Sequence, residues 1–556
     1  MPKAIRLLHR TALPSKAPAS IATSDKGVWV SDVETREISL IAPHDGTVIE
    51  KMEATVRRPQ TISWDGEELW EYDEETSSLY RKNLNTGRSR LFGKVAGVNF
   101  PYLGFTFFDR TLWLISPDQP YFTVSNNLIT VVKFPRRIRA DEFAAPSHSC
   151  RGLCHDGQYL WTLDVEEAEL FAMHPLTGHI VTSYRLPGTI APSSLIVEED
   201  RVFTIDLKSN ELLTYELDRK VQHTASGGRR SKVDIVYTIR NMGPGVVTST
   251  ELSQCLSKDY VHQRLLTAPK VEPTPDEEVA GQWGDDHEGG IVVVNKIGPL
   301  EPAAAEDVTV SLEVETVDLQ WHIYPHLVGD LEEIPFNIRR NYLFDEMVKN
   351  DDAEIVEIVK TAQALFQTDD KEIQSKVEEI VGDETNPYWI ARKIYDFVVD
   401  KVDYILPYSS IATRKILKQG KGSCGNHATI FIALCEAAGL PARSIIGFGI
   451  WKDDARLGYL DHEIPEVYLP NYGWVPADTS RFMSLPIRGS HPLTKFRSFG
   501  SLSDRFFVNG FGRDLTSTWA RRRYQQERLP IVEGEGRPEE LFFLRWESSP
   551  VPTWKE

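Results

Sequence analysis

Gly420-Lys421-Gly422-Ser423-Cys424-Gly425-Asn426-His427-Ala428-Thr429-Ile430-Phe431-Ile432-Ala433-Leu434-Cys435-Glu436-Ala437-Ala438-Gly439-Leu440-Pro441 is the stretch whose reading decides the fold. Glycines loosen its start. Ser423 is a helix N-cap, and Gly439 followed by Pro441 is a stop. Between them the residues are apolar nearly all round, so the helix belongs at the centre of a domain. Cys424 falls in its first turn. The positive end of the helix dipole there favours a thiolate, and a first-turn N–H can point at a developing oxyanion. Cys435, eleven residues on in the apolar body, reads as structural. His427, one turn from Cys424, is assigned to packing beside the cleft.

The residues downstream supply what a cysteine nucleophile needs. A strand is predicted over Ala442 to Trp451, a second over His462 to Tyr468 and a third over Trp474 to Asp478, with Asn471-Tyr472-Gly473 as the hairpin turn. Nucleophilic catalysis requires a base within hydrogen-bond reach and a third group that fixes the imidazole tautomer. Cys424, His462 and Asp478 are the candidate catalytic residues. Side chains alternate along a strand, so the turn length decides whether Asp478 can reach His462. A two-residue turn over Asn471-Tyr472 would put the two on opposite faces. A three-residue loop, Asn471 to Gly473, or a bulge would put them on the same face. An odd loop is therefore expected, with a carboxylate oxygen about 2.6–3.2 Å from a ring nitrogen.

GSCGNHATIFIALCEAAGLPAR, then H-x-x-x-E-V-Y, then G-W-V-P-A-D-T-S resembles the transglutaminase-like superfamily, which joins transglutaminases, peptide N-glycanases and microbial cysteine peptidases. The resemblance covers residues 420 to 480 and implies Cys424, His462 and Asp478 as a catalytic triad on a papain-like centre. Members often carry Trp two residues after the histidine, where this chain has Ile464 followed by Pro465, so substrate specificity does not transfer. His462-Glu463-Ile464-Pro465-Glu466 lacks the second histidine of a zinc motif. No metal or cofactor is expected.

Upstream of this region the chain repeats. Trp29, Trp70, Trp113, Trp161 and Phe203 are spaced by 41, 43, 48 and 42 residues, several after Asp-Gly-type turns such as Asp65-Gly66 and Asp156-Gly157. Strand-turn units of about 40 residues are the signature of propeller blades. Five repeats predict an all-β propeller of about five blades. Segment Ile5 to Pro14, which resembles the end of the fourth repeat, would supply the outer strand that the fifth lacks. An open β-solenoid or a pair of sandwiches is the alternative. Cys150, Cys154, His148 and His155 lie close in sequence, but Cys154-His155-Asp156-Gly157 falls at the repeat position of Ser63-Trp64-Asp65-Gly66, which requires no metal, so none is assigned to them.

The chain is thus read as multidomain: a propeller over 1–218, a linker over 219–232, a β-sandwich over 233–325, an α+β transglutaminase-like core over 326–500 and a C-terminal extension packing on it over 501–556. Ala268 to Gly290, rich in Pro, Asp, Glu and Gly, is expected to be a mobile loop. Helices are expected over Asp351 to Phe366 and Pro387 to Lys401. The length, 556 residues, suits several cores. The net charge of −19 argues against a nucleic-acid surface. No apolar run suits a membrane span. Five cysteines and no apolar leader in Met1 to Ser20 point to the cytoplasm.

The function expected is cysteine-dependent acyl transfer on peptide or side-chain amides through a thioester. Water as acceptor makes a peptidase or amidase, the preferred reading. A lysine acceptor makes a protein-glutamine gamma-glutamyltransferase. The reading from a different class is an inactive scaffold. The partners expected are a protein or peptide substrate and a protein bound by the propeller, with no nucleic acid and no membrane.

Overall fold

The computed structural model describes residues 3–94, 101–117, 128–133, 138–280, 291–349, 353–405, 411–450, 454–457, 461–480, 492–511 and 533–552. The chain divides into two compact units: residues 2–222 with the short stretch 491–496, and residues 223–490 with 497–556. Among the described residues no helix is long and apolar enough to cross a membrane.

Among the described residues, the first unit contains five four-stranded antiparallel sheets. Each repeat aromatic lies on the second strand of its sheet: Trp29 in Gly27–Asp32, Trp70 in Leu69–Asp73, Trp113 in Thr111–Ser116, Trp161 in Leu160–Asp164 and Phe203 in Arg201–Asp206. All five are buried. The repeat has a polar logic as well. Trp70 Nε1 donates to Asp65 Oδ2 at 2.7 Å, and Trp161 Nε1 to Asp156 Oδ2 at 2.8 Å. Each aspartate thus ties the turn before a strand to the tryptophan on it. Four second strands end in an aspartate that caps the following turn: Asp32, Asp73, Asp164 and Asp206 accept from backbone N–H groups of Glu34, Glu75, Glu166 and Lys208.

The first strands of the sheets, Pro18–Ser24, Pro59–Trp64, Gly104–Phe108, Cys150–His155 and Ile196–Glu198, touch in that order, and the fifth returns to the first. Ile5–Ala12 pairs antiparallel with Glu211–Leu217 as the outer strand of the fifth sheet, with a bulge between Leu7 and His9. The fifth sheet is therefore completed by residues some 200 positions away, as Arg6 and Glu216, 210 apart, show.

The second unit is built on long strands. His223–Asn241 lies between Ala305–Trp321 and Pro538–Pro550 in a seven-stranded sheet that also takes in Asp454–Leu457. Val247–Leu256 and Ile291–Ile297 form a second sheet with Glu277–Ala280 and Glu533–Gly534. Ile239, Val247, Leu252, Ile297, Leu300 and Val308 pack between the two. Several sequence expectations are corrected here. The linker read over 219–232 is mostly strand. Its Ser226-Gly227-Gly228 is a bulge in the pairing with Ala305–Trp321, with Gly227 at φ 61°. The described part of the loop read over Ala268 to Gly290 contains the strands Lys270–Glu272 and Glu277–Ala280; residues 281–290 lie outside the described residues. The regions 233–325, 326–500 and 501–556 belong to one compact unit, because strands cross between them. Pro538–Pro550 in particular is an inner strand rather than an appended extension. Its pairing is far from local: Arg229 and Ser548 are 319 positions apart.

Helices Ala353–Phe366, Lys371–Val381 and Pro387–Lys401 surround a central helix, Cys424–Ala437, in which every residue from Gly425 to Glu436 is buried. Asn386 caps Pro387–Lys401 by accepting from the N–H groups of Tyr388 and Trp389. Ile390, Ile394 and Val398 form its buried stripe. Beside the central helix lies a four-stranded sheet in the order Gly473–Pro476, Asp461–Leu469, Ala442–Gly449, Phe506–Phe511.

Removing residues 3–13 should leave the edge of Glu211–Leu217 unpaired and withdraw the buried side chains of Ile5 and Leu13. At about 1.5–3 kcal/mol for each buried side chain and about 2–4 °C per kcal/mol for a unit of this size, the thermal midpoint of the first unit should fall by about 10 °C. Calorimetry on the truncated and intact chains checks this, and an unchanged midpoint would rule out a closing role for the strand.

Candidate active site

The approach to Cys424 is set by backbone constraints. Thr413–Gln419 ends at Gly420, whose left-handed φ of 61° suits glycine. Lys421–Gly422 then pairs in parallel with Asp403–Tyr404. A Cβ on Gly422 would stand 2.5 Å from the Asn426 Cβ, so only glycine allows this approach. Ser423 is extended, at φ −81° and ψ 179°, and its backbone N–H and hydroxyl both donate to Asn426 Oδ1, at 3.1 and 3.3 Å. The helix begins at the next residue, Cys424. Its side chain is half-buried, whereas Cys150, Cys154, Cys255 and Cys435 are buried.

His462 and Asp478 meet through the parity of the hairpin. Leu469 faces Gly473, Val467 faces Val475 and Glu466 faces Pro476. The loop has three residues, Pro470 to Tyr472, one position earlier than the sequence suggested. Asn471 at φ 71° and Gly473 at φ 74° turn the chain, and Tyr472 N–H donates to the Leu469 carbonyl at 2.9 Å. Continuing this register brings Asp478 to the His462 face of the sheet. His462 Nε2 and Asp478 Oδ2 are 3.0 Å apart, with the histidine 1% and the aspartate 8% exposed.

Burial alone would push the His462 imidazole down. The charge and hydrogen bond of Asp478, joined by a hydrogen bond and charge from Cys424, instead raise it to about 10. Burial pushes the Asp478 carboxyl up, but His462 and Ser480 more than offset this and hold it below its usual range. The candidate residues Cys424, His462 and Asp478 thus lie at a helix N-terminus, on the strand Asp461–Leu469 and just past the strand Gly473–Pro476.

Residues 374–479 match the transglutaminase-like superfamily. The chain carries a transglutaminase-like domain. A protein of undetermined function from Haemophilus influenzae is 29% identical over 203 residues, which are 32% of this chain and 50% of that one; the chain spans about half the length of this relative. Among solved structures the chain is similar to a candidate cysteine protease from Cytophaga hutchinsonii at 17% identity and TM-score 0.37, covering 60% of this chain and 96% of that one. It is also similar to glutaminyl cyclase from Myxococcus xanthus at 11% identity and TM-score 0.32, covering 38% and 96%.

The transglutaminase-like domain holds Asp478 with groups that the sequence motif did not reveal. Ser480 donates to Asp478 Oδ1 through its backbone N–H at 3.0 Å and its hydroxyl at 2.9 Å. The two carboxylate oxygens therefore have separate duties, and rotation of the group would break three hydrogen bonds. Asp478 N–H donates to the Ser498 carbonyl at 2.8 Å. His427, read from sequence as packing, donates from Nδ1 to the Thr479 carbonyl at 3.1 Å and ties the nucleophile helix to the residue beside the aspartate. A serine two residues after an aspartate is an Asx-turn signal in the sequence. The His427 bond leaves none.

Two predictions follow from this geometry. A raised histidine pKa stabilises the fold fully below the unfolded value of 6.5, and this is lost as pH rises through about 10; a lowered aspartate pKa stabilises above 3.8 and is lost as pH falls through the folded value. In Asp478→Asn, the melting-temperature deficit against the wild type should be largest between those two unfolded values and shrink toward pH 10. Thermal melts across pH check this, and a deficit that grows with alkalinity would contradict the coupling. Ser480→Ala should cost about 1.5 kcal/mol of carboxylate support, roughly tenfold in kcat/KM, with Ser480→Thr retaining most of the activity; equal losses in the two variants would show that the hydroxyl is not what matters.

Proposed function

We propose that the chain is a cysteine-dependent hydrolase of peptide or side-chain amides, with Cys424 as nucleophile, His462 as base and acid, and Asp478 as the group that orients the imidazole. The observation that carries this is the buried imidazole held by Asp478 Oδ2 at 3.0 Å and raised by that carboxylate, with Cys424 at the tip of a buried helix adding to the shift. The Cys424 thiol gives its proton to His462 as its sulfur attacks the amide carbonyl, and the negative charge passes to the carbonyl oxygen near the first-turn N–H groups. The C–N bond then breaks, and His462 gives its proton to the departing amine. A thioester remains. His462 takes a proton from water as that water attacks, and the acid leaves with the thiol restored. Asp478 keeps the ring in one tautomer throughout.

For the first unit we favour a five-bladed propeller, and for the two sheets beside the catalytic region a β-sandwich. The cyclic contact of the five first strands and the closing strand Ile5–Ala12 support the propeller. The apolar layer of Ile239, Val247, Leu252, Ile297 and Val308 supports the sandwich.

Cys424→Ala should lower amide hydrolysis by about a thousandfold or more and leave the thermal midpoint unchanged. In the native protein iodoacetamide should label Cys424, with the four buried cysteines reacting only after denaturation. A fluorescent primary amine supplied with a glutamine-containing protein distinguishes the acceptor. Incorporation of the amine in place of hydrolysis would make the enzyme a transglutaminase, and retained activity in Cys424→Ala would remove the nucleophile assignment.

A further inference from the structure

The stretch from Ser257 to Gln263 follows the long strand Val247–Leu256 and reaches the edge strand of the catalytic sheet, Phe506–Phe511. It binds that strand through side chains. Ser257 Oγ donates to Asn509 Oδ1 at 2.8 Å. Gln263 accepts from Val508 N–H at 2.6 Å and donates to the Val508 carbonyl at 2.9 Å. His262, fully buried, donates from Nε2 to the Phe506 carbonyl at 2.8 Å. The carbonyl only accepts, so Nε2 carries the proton. His262 Nδ1 then has no hydrogen-bond partner among the described residues. Burial pushes this imidazole down to about 4, with the Phe506 carbonyl opposing. It is neutral and fixed in one tautomer at neutral pH. A buried histidine with an unmatched nitrogen is a poor filler for an apolar layer and calls for an explanation in what it holds.

What it holds is the wall of the catalytic imidazole. The Phe506 ring lies stacked with His262 at 6.4 Å and 11°, and meets the His462 ring edge-on at 6.1 Å and 83°. This approach depends on Gly447, which faces His462 in the sheet. A Cβ there would stand 2.7 Å from Phe506 Cζ and 2.0 Å from the Phe507 carbonyl oxygen. From His262 to Phe506 to His462 the contacts are continuous.

We infer that His262 is a positioning residue for His462: by fixing the backbone and ring of Phe506, it confines the imidazole to the orientation in which Nε2 meets Asp478. This rests on the reading of His462 as the base. It makes the strands of residues 223–321 part of the catalytic apparatus, not a neighbouring module.

The test is ring-nitrogen NMR titration of the full chain labelled with 15N-histidine, with His462→Gln assigning the His462 signal. His262→Phe keeps an aromatic ring and removes the donor; Phe506→Leu removes the intervening ring and leaves His262 untouched. Both should admit water around His462, weaken its coupling to Asp478 and lower its pKa by about one unit or more, with a parallel loss in kcat/KM. His262→Gln retains a donor and should keep the wild-type titration. An unchanged His462 titration in His262→Phe and Phe506→Leu would overturn the inference. So would a fall in His262→Gln as large as in His262→Phe, since the donor would then not be the cause. Failure of the acyl-transfer reading appears separately, as turnover surviving in Cys424→Ala whatever His462 titrates.

Discussion

A charge taken out of water needs a partner at hydrogen-bond distance, and the pairing of Asp478 with His462 is the constraint around which the second unit is organised. At 8% exposure the carboxylate has little solvent to draw on. Unpaired, it would be neutral or unfolding. One oxygen therefore takes the imidazole and the other takes both donors of Ser480. Meeting those distances sets other choices: an odd hairpin loop, a glycine opposite the histidine, and a Cys424 helix joined through His427 to the residue after the aspartate.

A second buried pair keeps that geometry in register. Arg443 Nε donates to Glu466 at 2.8 Å, both residues almost wholly buried and directly opposed in neighbouring strands. Tyr260 donates its hydroxyl to the same carboxylate, and the guanidinium lies 4.1 Å from the centre of the Trp474 ring. Glu466 stands four residues from His462, on the same face by alternation. Slipping the strands by one residue would expel a charged group into the wrong side of the sheet, and removing one partner leaves a buried charge at a penalty of about 3–5 kcal/mol. Such a pair does little for net stability. It discriminates strongly between registers.

Local features of the sequence were readable. The helix from Cys424 was legible because Ser423, the apolar run and Gly439-Leu440-Pro441 mark its two ends, and the five sheets because Trp29, Trp70, Trp113, Trp161 and Phe203 recur at intervals of 41 to 48 residues. Parity predicted an odd loop, and only its boundaries moved by one position. What escaped was non-local. Ser226-Gly227-Gly228 reads as a linker because glycine signals flexibility locally, whereas here Gly228 allows the Val551 carbonyl within 2.7 Å of where its Cβ would be. The partnership of His223–Asn241 with Pro538–Pro550 has no trace in periodicity, since alternation gives a strand its faces but not its neighbours. His262 looked like any residue between strands, and its role depends on a carbonyl 244 positions away.

That wide separation bears on how the protein is made. At about 5–20 residues per second on the ribosome, Ile5–Ala12 emerges roughly 10–40 seconds before its partner Glu211–Leu217, and His223–Asn241 waits longer still for Pro538–Pro550. During synthesis these strands present open edges that need protection by chaperones or by transient pairing within the nascent chain. The wall behind the candidate base is also late: Phe506–Phe511 is translated after both Cys424 and Asp478. A nascent chain carrying the thiol, the imidazole and the carboxylate still lacks the strand that confines them, so the birth of the active centre trails the synthesis of its chemical groups.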